Sequence, residues 1–200
     1  MSDTYLTISA PSSGTYTEKR SKFLAFAFPV SNVEEVKALV DEHQKQYYDA
    51  RHVCYAYMLG HERTTFRAND NGEPSGTAGK PILGQINSNE LTDILIIVVR
   101  YFGGVKLGTS GLIQAYKAAA GEAIAAAEIV ERTVDEVIDI SFEYTLMNAV
   151  MRIIKEEEPV IVCQSFDNDC TMRLRQRASL MPRLRQRLDK VDGVSVDTNS

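Results

Sequence analysis

The 200-residue chain is long enough for one large core or two small ones, and 44% hydrophobic with 24% charged residues is a globular composition that excludes disorder and low complexity. A formal charge of −5 excludes a protein that binds nucleic acid with its whole surface, since phosphates need a positive field, and leaves room only for a local basic patch.

The stretch Met1 to Arg20 is rich in Ser, Thr, Tyr and Gly and has no apolar core, so it is not a signal peptide and the protein is expected in the cytoplasm. Phe23 to Val30 reads as a strand. Ser31 then opens a helix that ends near Gln46: Ser31 with Glu34 makes a capping box, and Val33, Val36, Leu39 and Val40 repeat at helical spacing. His52 to Leu59 alternates as a strand, with Cys54, Ala56 and Met58 on one face and Val53, Tyr55 and Tyr57 on the other, and Thr64 to Ala68 returns beside it. Asn69 to Lys80 carries too many breakers for regular structure, and Pro81 opens a short helix. Leu91 to Phe102 contains a central strand. Its core, Ile94 to Val99, is the longest purely apolar run and falls far short of the ~20 residues of a membrane helix. Glycines then lead into an alanine-rich helix from Ser110 to Glu128.

Ile129 to Thr133 reads as a linker between domains. Beyond it come a strand (Val134 to Phe142), an amphipathic helix (Leu146 to Glu157), a hairpin (Val160 to Phe166 with Thr171 to Ala178), a helix (Leu180 to Val191) and a last strand (Val194 to Asp197). This order is a ferredoxin-like split βαβ unit. Glu156, Glu157 and Glu158 read as a solvated helix end. A hairpin turned at Asp167-Asn168-Asp169 sets Phe166, not Cys163, opposite Cys170, so no disulfide is expected there. Cys54, Cys163 and Cys170 are an odd set without CxxC, which indicates neither a zinc site nor a disulfide framework.

Two glycine-rich loops are the most distinctive feature. The first runs Asp70-Asn71-Gly72-Glu73-Pro74-Ser75-Gly76-Thr77-Ala78-Gly79-Lys80-Pro81, the second Arg100-Tyr101-Phe102-Gly103-Gly104-Val105-Lys106-Leu107-Gly108-Thr109-Ser110-Gly111. Each leads into a helix, whose first N–H groups and dipole favour an anion, and each carries a lysine. Neither is a Walker loop or a GxGxxG. The anion or ligand-binding candidates are Asp70, Gly72, Glu73, Gly76, Thr77, Gly79 and Lys80 in the first loop, and Arg100, Gly103, Gly104, Lys106, Gly108, Thr109, Ser110 and Gly111 in the second. The plainer alternative is that the glycines serve only tight turns and close packing. The two loops are predicted to converge on one concave site faced by Lys106 and Lys80.

With these motifs, and with Lys19-Arg20-Ser21-Lys22-Phe23, Asp49-Ala50-Arg51-His52 and Cys54-Tyr55-Ala56-Tyr57, the sequence resembles the YigZ/IMPACT family over most of residues 16 to 130. It departs from the family pattern at Ser110, often glycine there, and at Gln114, where arginine is expected. The resemblance implies an α+β chain of two domains: residues 1–130 similar to domain 2 of ribosomal protein S5, and residues 133–200 similar to the last domain of elongation factor G. It also implies eukaryotic relatives that regulate translation by competing for a ribosome-associated activator of a stress kinase.

His52 and Cys54 share a strand face and invite comparison with a base and thiol pair, but such residues among Val, Ala and Tyr are usually core, and no catalytic residue, metal ligand set or cofactor is assigned. The echo Arg173-Leu174-Arg175-Gln176-Arg177 and Arg183-Leu184-Arg185-Gln186-Arg187 is different. On a strand Arg173, Arg175 and Arg177 point to one face ~6 to 7 Å apart, near the phosphate repeat of an extended strand, and on a helix Arg183 and Arg187 align. These five are the RNA-binding candidates, against the alternative of a face balanced by nearby acids. The expected function is a non-catalytic, translation-associated protein that contacts the ribosome, its RNA or a ribosome-associated protein, with a phosphate or nucleotide at the loops and no membrane. An enzyme acting on a phosphorylated or nucleotide substrate and a pure protein-interaction module remain as alternatives.

Overall fold

The computed structural model describes residues 3–167 and 169–198 and divides into two units, Tyr5–Arg132 and the residues from Thr133 onward with Asp3 and Thr4. The first unit is built from β1 (Thr4–Ile8), β2 (Ser12–Glu18), β3 (Ser21–Pro29), α1 (Val33–Gln46), β4 (His52–Leu59), β5 (Thr65–Asn69), α2 (Gly79–Ser88), β6 (Ile94–Tyr101), α3 (Gly108–Ala125) and β7 (Ile129–Thr133). Five strands form an antiparallel sheet in the order β2-β3-β6-β4-β5. β6 is central and buried on both faces, which is why its sequence is continuously apolar and not alternating. Ile94, Ile96 and Val98 pack with Ile82 and Ile86 of α2 and Leu112, Ala115 and Tyr116 of α3, while Leu95, Ile97 and Val99 pack with Val36 and Val40 of α1. The faces expected for β4 are found: Cys54, Ala56 and Met58 lie on the α2/α3 side, Val53 and Tyr57 on the α1 side.

Two local expectations are corrected, and one stretch to which the sequence reading assigned no element takes regular structure. The polar N-terminal stretch forms two strands: β2 ladders with β3 along its whole length and lies so close to the alanine-rich α3 that a Cβ on Gly14 would come within 2.6 Å of Glu122 and Ala123, and Ser12 Oγ donates to Ala123 O at 2.7 Å. The cap of α1 is shifted by one residue: Asn32 accepts from Glu35 N at 2.9 Å, while the Glu35 carboxylate returns to Ser31 N at 2.9 Å. Ile129–Thr133, read as a linker, is strand β7 and pairs with β1 in a two-stranded sheet.

The second unit contains β8 (Asp135–Glu143), a 3₁₀ turn at Tyr144–Leu146, α4 (Met147–Glu157), β9 (Val160–Phe166), β10 (Asp169–Arg177), α5 (Met181–Leu188) and β11 (Ser195–Thr198). The antiparallel order β11-β8-β10-β9 is that of a ferredoxin-like sheet. Ile138, Ile140 and Phe142 of β8 and Cys170, Met172 and Leu174 of β10 bury one face under Val150, Ile153 and Ile154 of α4 and Met181, Leu184 and Leu188 of α5. Cys170 stands opposite Phe166 and Cys163 opposite Arg173, as the hairpin register required, and both cysteines are free thiols. Asn168, expected in the turn, lies outside the described residues. Asp3, expected in the first domain, belongs to the second unit: its carboxylate accepts from Arg177 Nε and Nη2 at 2.5 and 2.8 Å. The α+β class is the expected one, and the sheet order of the second unit is the expected ferredoxin-like one.

Candidate anion site between the glycine loops

The two loops differ at the helix each one starts. In the first, the Asp70 carboxylate turns back into its own loop: Oδ2 accepts from Gly76 N at 2.8 Å, and Oδ1 accepts from Ala78 N at 3.0 Å and Gly79 N at 2.8 Å. Burial pushes this carboxyl up, but the three N–H donors outweigh it and hold it below its ordinary value. The start of α2 is therefore closed by an internal anion, and the expectation that it holds an external one is corrected. Gly79 sits here because a Cβ would lie 2.5 Å from Asn69 N. Thr77 is buried and donates to Pro74 O at 2.6 Å, and Gly72 and Gly76 occupy left-handed turns at φ +81° and +78°.

The second loop leaves its helix open. Leu107, which precedes α3, makes no side-chain cap, and among the described residues no carboxylate takes the place that Asp70 holds at α2. Gly103 is required by packing, since a Cβ would fall 2.1 Å from Arg20 C. Gly104 and Gly108, at φ +85° and +71° with open space where a Cβ would stand, are required only by their backbone.

Between Glu73-Pro74 of the first loop and Phe102 and Lys106–Thr109 of the second lies a cavity of about 510 Å³, also lined by Arg51, His52, Arg100 and Leu112. The loops thus meet at one concave surface as expected, with one correction: Lys106 lines it and Lys80 does not. Nor do the other glycines of either loop, Asp70, Thr77 or Ser110, apart from Gly108. The floor is a buried network. Arg100 Nη1 and Glu73 Oε1 are 2.6 Å apart, with side chains 7% and 3% exposed. Tyr116 Oη also donates to Oε1 at 2.8 Å, and His52 Nε2 is 3.7 Å from Oε2. His52 Nδ1 donates to Asn71 O at 2.7 Å, so a neutral ring carries its lone pair on Nε2. Arg100 lies 5.6 Å from the ring centres of both Phe23 and Phe102, and its Nε is buried without a hydrogen-bond partner. Arg51, Arg100 and Lys106 line this cavity against one carboxylate, Glu73, which Arg100 already meets, so Arg51 and Lys106 leave the balance positive and an anion is the favoured guest.

Cys54 is buried; its S–H donates to Asp70 O at 3.0 Å, and burial pushes the thiol up to about 12, the opposite of an activated nucleophile. Sequence reasoning passed over Arg51 as a site residue and read His52 as core. The signal that would have found them is their place at the head of β4, across from Arg100: Arg51 N donates to Arg100 O at 3.0 Å, and His52 pairs with Arg100 in register. Among the described residues, no cluster of three or more His, Cys, Asp or Glu could hold a metal ion, and no helix is long and apolar enough to cross a membrane.

The arginine echo is matched by acids. Arg173 makes a two-pronged bond to Asp139 at 2.7 and 2.8 Å, Arg175 lies 3.7 Å from Asp135, and Arg177 binds Asp3. Arg183 lies 3.1 Å from Glu157, and Arg187 contacts both Glu156 and Glu157. The acidic end of α4 is therefore not simply solvated: the Glu157 side chain is 6% exposed beneath the arginines of α5. The row of guanidinium groups exists, with its charge already met.

Comparison with known proteins agrees with this structure. The Impact N-terminal domain family matches residues 19–124, a span that contains both loops and the whole cavity. IMPACT family member YvyE of Bacillus subtilis (strain 168) is 34% identical over 158 residues, covering 79% of this chain and 73% of that protein. IMPACT family member YigZ of Escherichia coli (strain K12) is 36% identical over 124 residues, 61% of each. A crystal structure described only as that of a hypothetical protein superposes with a TM-score of 0.75 at 26% identity, over 100% of this chain and 99% of the other. A chain matched over its loops, its cavity and most of its length in this way belongs to the IMPACT family.

Proposed function

We propose that the chain is a non-catalytic, translation-associated binding protein that contacts ribosomal RNA or a ribosome-bound partner, and that the cavity between the loops holds an anionic group of that ligand. The observation that carries the reading is the convergence of Arg51 and Lys106, above the Arg100–Glu73 pair of the floor, with the uncapped start of α3 around one concavity. Family membership supports the translation side, since the resemblance implies eukaryotic members acting at a ribosome-associated activator. The buried Cys54, with its thiol pushed up, speaks against that residue as a nucleophile. The arginine row of the second unit enters only as a weaker surface, because an RNA phosphate must displace Asp139, Asp135 or Asp3 to reach it.

The test is cosedimentation with ribosomes and titration of a short single-stranded RNA at several salt concentrations. Lys106→Met is expected to weaken binding and flatten the salt slope by about 0.7, the loss of one phosphate contact. The triple change of Arg173, Arg175 and Arg177 to Gln is expected to do less. Binding that is indifferent to Lys106 and lost with the arginines would overturn the assignment.

A second reading, an enzyme acting on a phosphorylated substrate, is favoured by one observation: His52 faces the cavity with Nδ1 pinned to Asn71 O, the posture of a general base. Release of phosphate from model phosphoesters that stops in His52→Gln would establish it; no turnover, with ligand binding intact, favours the binding protein.

A further inference from the structure

We infer that the cavity takes a ribonucleotide: the phosphate lies at Lys106, Arg51 and the start of α3, the ribose hydroxyls meet Glu73, and the base lies on Phe102. The inference deepens the proposed anion site and rests on it. A cavity of about 510 Å³ is within the ~300–1,000 Å³ of small-molecule sites and much larger than a bare phosphate fills. It is also divided chemically. Arg51 and Lys106 supply charge, whereas Pro74, Phe102, Leu107 and Leu112 supply an apolar wall that an inorganic anion would not use. Phe102 is 47% exposed, a large aromatic ring left half in water with the Arg100 guanidinium 5.6 Å from its centre, which makes a platform for a second planar ring.

Glu73 decides between aromatic phosphates. Its Oε1 is taken by Arg100 and Tyr116, while Oε2 lies 3.7 Å from His52 Nε2, beyond hydrogen-bond distance. A carboxylate oxygen in a cavity that receives an anion needs a donor from the guest. Ribose hydroxyls supply such donors; a phosphotyrosine side chain has none. The nucleotide can be free or be the phosphorylated end of an RNA, and the chemistry at the cavity is the same.

The test is calorimetry on the full chain with AMP, dAMP, adenosine and inorganic phosphate, followed by competition of AMP against five-nucleotide RNAs with and without a 5′-phosphate. AMP is expected to bind about tenfold or more tighter than either phosphate or adenosine, and tighter than dAMP, with Phe102→Ala removing the advantage over phosphate at an unchanged melting temperature. Competition by the 5′-phosphorylated RNA alone marks an RNA end as the natural source; AMP binding that neither RNA displaces marks a free nucleotide. Equal affinity for AMP and phosphate, or a phosphotyrosine peptide that outcompetes AMP, overturns the inference. RNA binding that AMP does not displace and that ignores the end phosphate overturns it too, while leaving the proposed function in place. Absence of all RNA, phosphate and nucleotide binding overturns both.

Discussion

The two glycine loops start from the same design and end differently. Each breaks the chain with glycines, carries a lysine and hands over to a helix, yet Asp70 fills the start of α2 with the protein's own carboxylate while the start of α3 stays uncapped beside a cationic cavity. A helix N-terminus attracts whatever anion reaches it first, and an aspartate in the same loop is always present at high effective concentration. Glycine content therefore does not distinguish a structural turn from a site; the whereabouts of the nearest free carboxylate does. Glu73 occupies an intermediate position, in the closed loop but turned toward the open one, where it holds Arg100 in place.

The sharpest way to break this comparison is to remove the group that joins the loops. Glu73→Ala leaves Arg100 buried without its partner, and is expected to destabilise the first unit by about 3–5 kcal/mol, read as a lowered denaturation midpoint. A loss below about 1 kcal/mol would mean that the pair is replaced by water and that the floor of the cavity is not rigid.

Next comes the closed loop itself. Asp70→Asn removes the charge from three backbone hydrogen bonds and is expected to cost about 2 kcal/mol at neutral pH. The sign with pH follows from the lowered carboxyl: its contribution is complete above the ordinary value of 3.8 and is lost as pH falls through the lower folded value. The gap between wild type and variant should accordingly narrow below about pH 4. A constant gap down to pH 2 would show that shape, not charge, sets the loop.

The glycines give a smaller contrast. Gly103→Ala drives a methyl into the Arg20 backbone and should cost about 1–3 kcal/mol, whereas Gly104→Ala meets no atom and should cost about 1 kcal/mol for its left-handed backbone alone. Equal losses in urea denaturation would mean that the second loop moves away from the β2–β3 turn on substitution.

What could be read in the sequence depended on how local its cause was. The faces of β4 and the Cys170–Phe166 register follow from the two-residue period of a strand, and α1 from its apolar stripe, so these were legible. β1 and β2 were not, because neither carries an apolar run. What makes a strand of β2 is its ladder with β3 along its whole length, and the close approach of its Gly14 to α3 comes from residues more than a hundred positions along the chain. At the site, the meeting of the loops could be anticipated from their shared motif, but the role of Asp70 could not: it caps a helix start from eight and nine residues upstream, beyond any local capping pattern. The pairing of the arginine row was hidden for a similar reason, since Arg173 finds Asp139 only once β8 and β10 are in register.

The smallest expected effect on stability is the most informative about function, because each loop carries one lysine and the two are placed differently. Lys106 lines the cavity at the open helix start, while Lys80 is exposed on α2, whose first N–H groups Asp70 already holds. Neither side chain is buried, so Lys106→Met and Lys80→Met should each shift the unfolding free energy by no more than about 0.5 kcal/mol. They should separate in binding. Lys106→Met removes a cation from the side of the cavity where the helix start is uncapped, and phosphate or nucleotide affinity is expected to fall about tenfold or more, the size of one charge-assisted hydrogen bond. Lys80→Met should leave that affinity within about twofold, since the anion nearest to it is the protein's own. Calorimetry on the two variants side by side decides the matter. If both lose affinity alike, the ligand spans both loops and the closed one contributes; if neither does, the cations serve folding or a protein partner, and the open helix start is a turn like its counterpart.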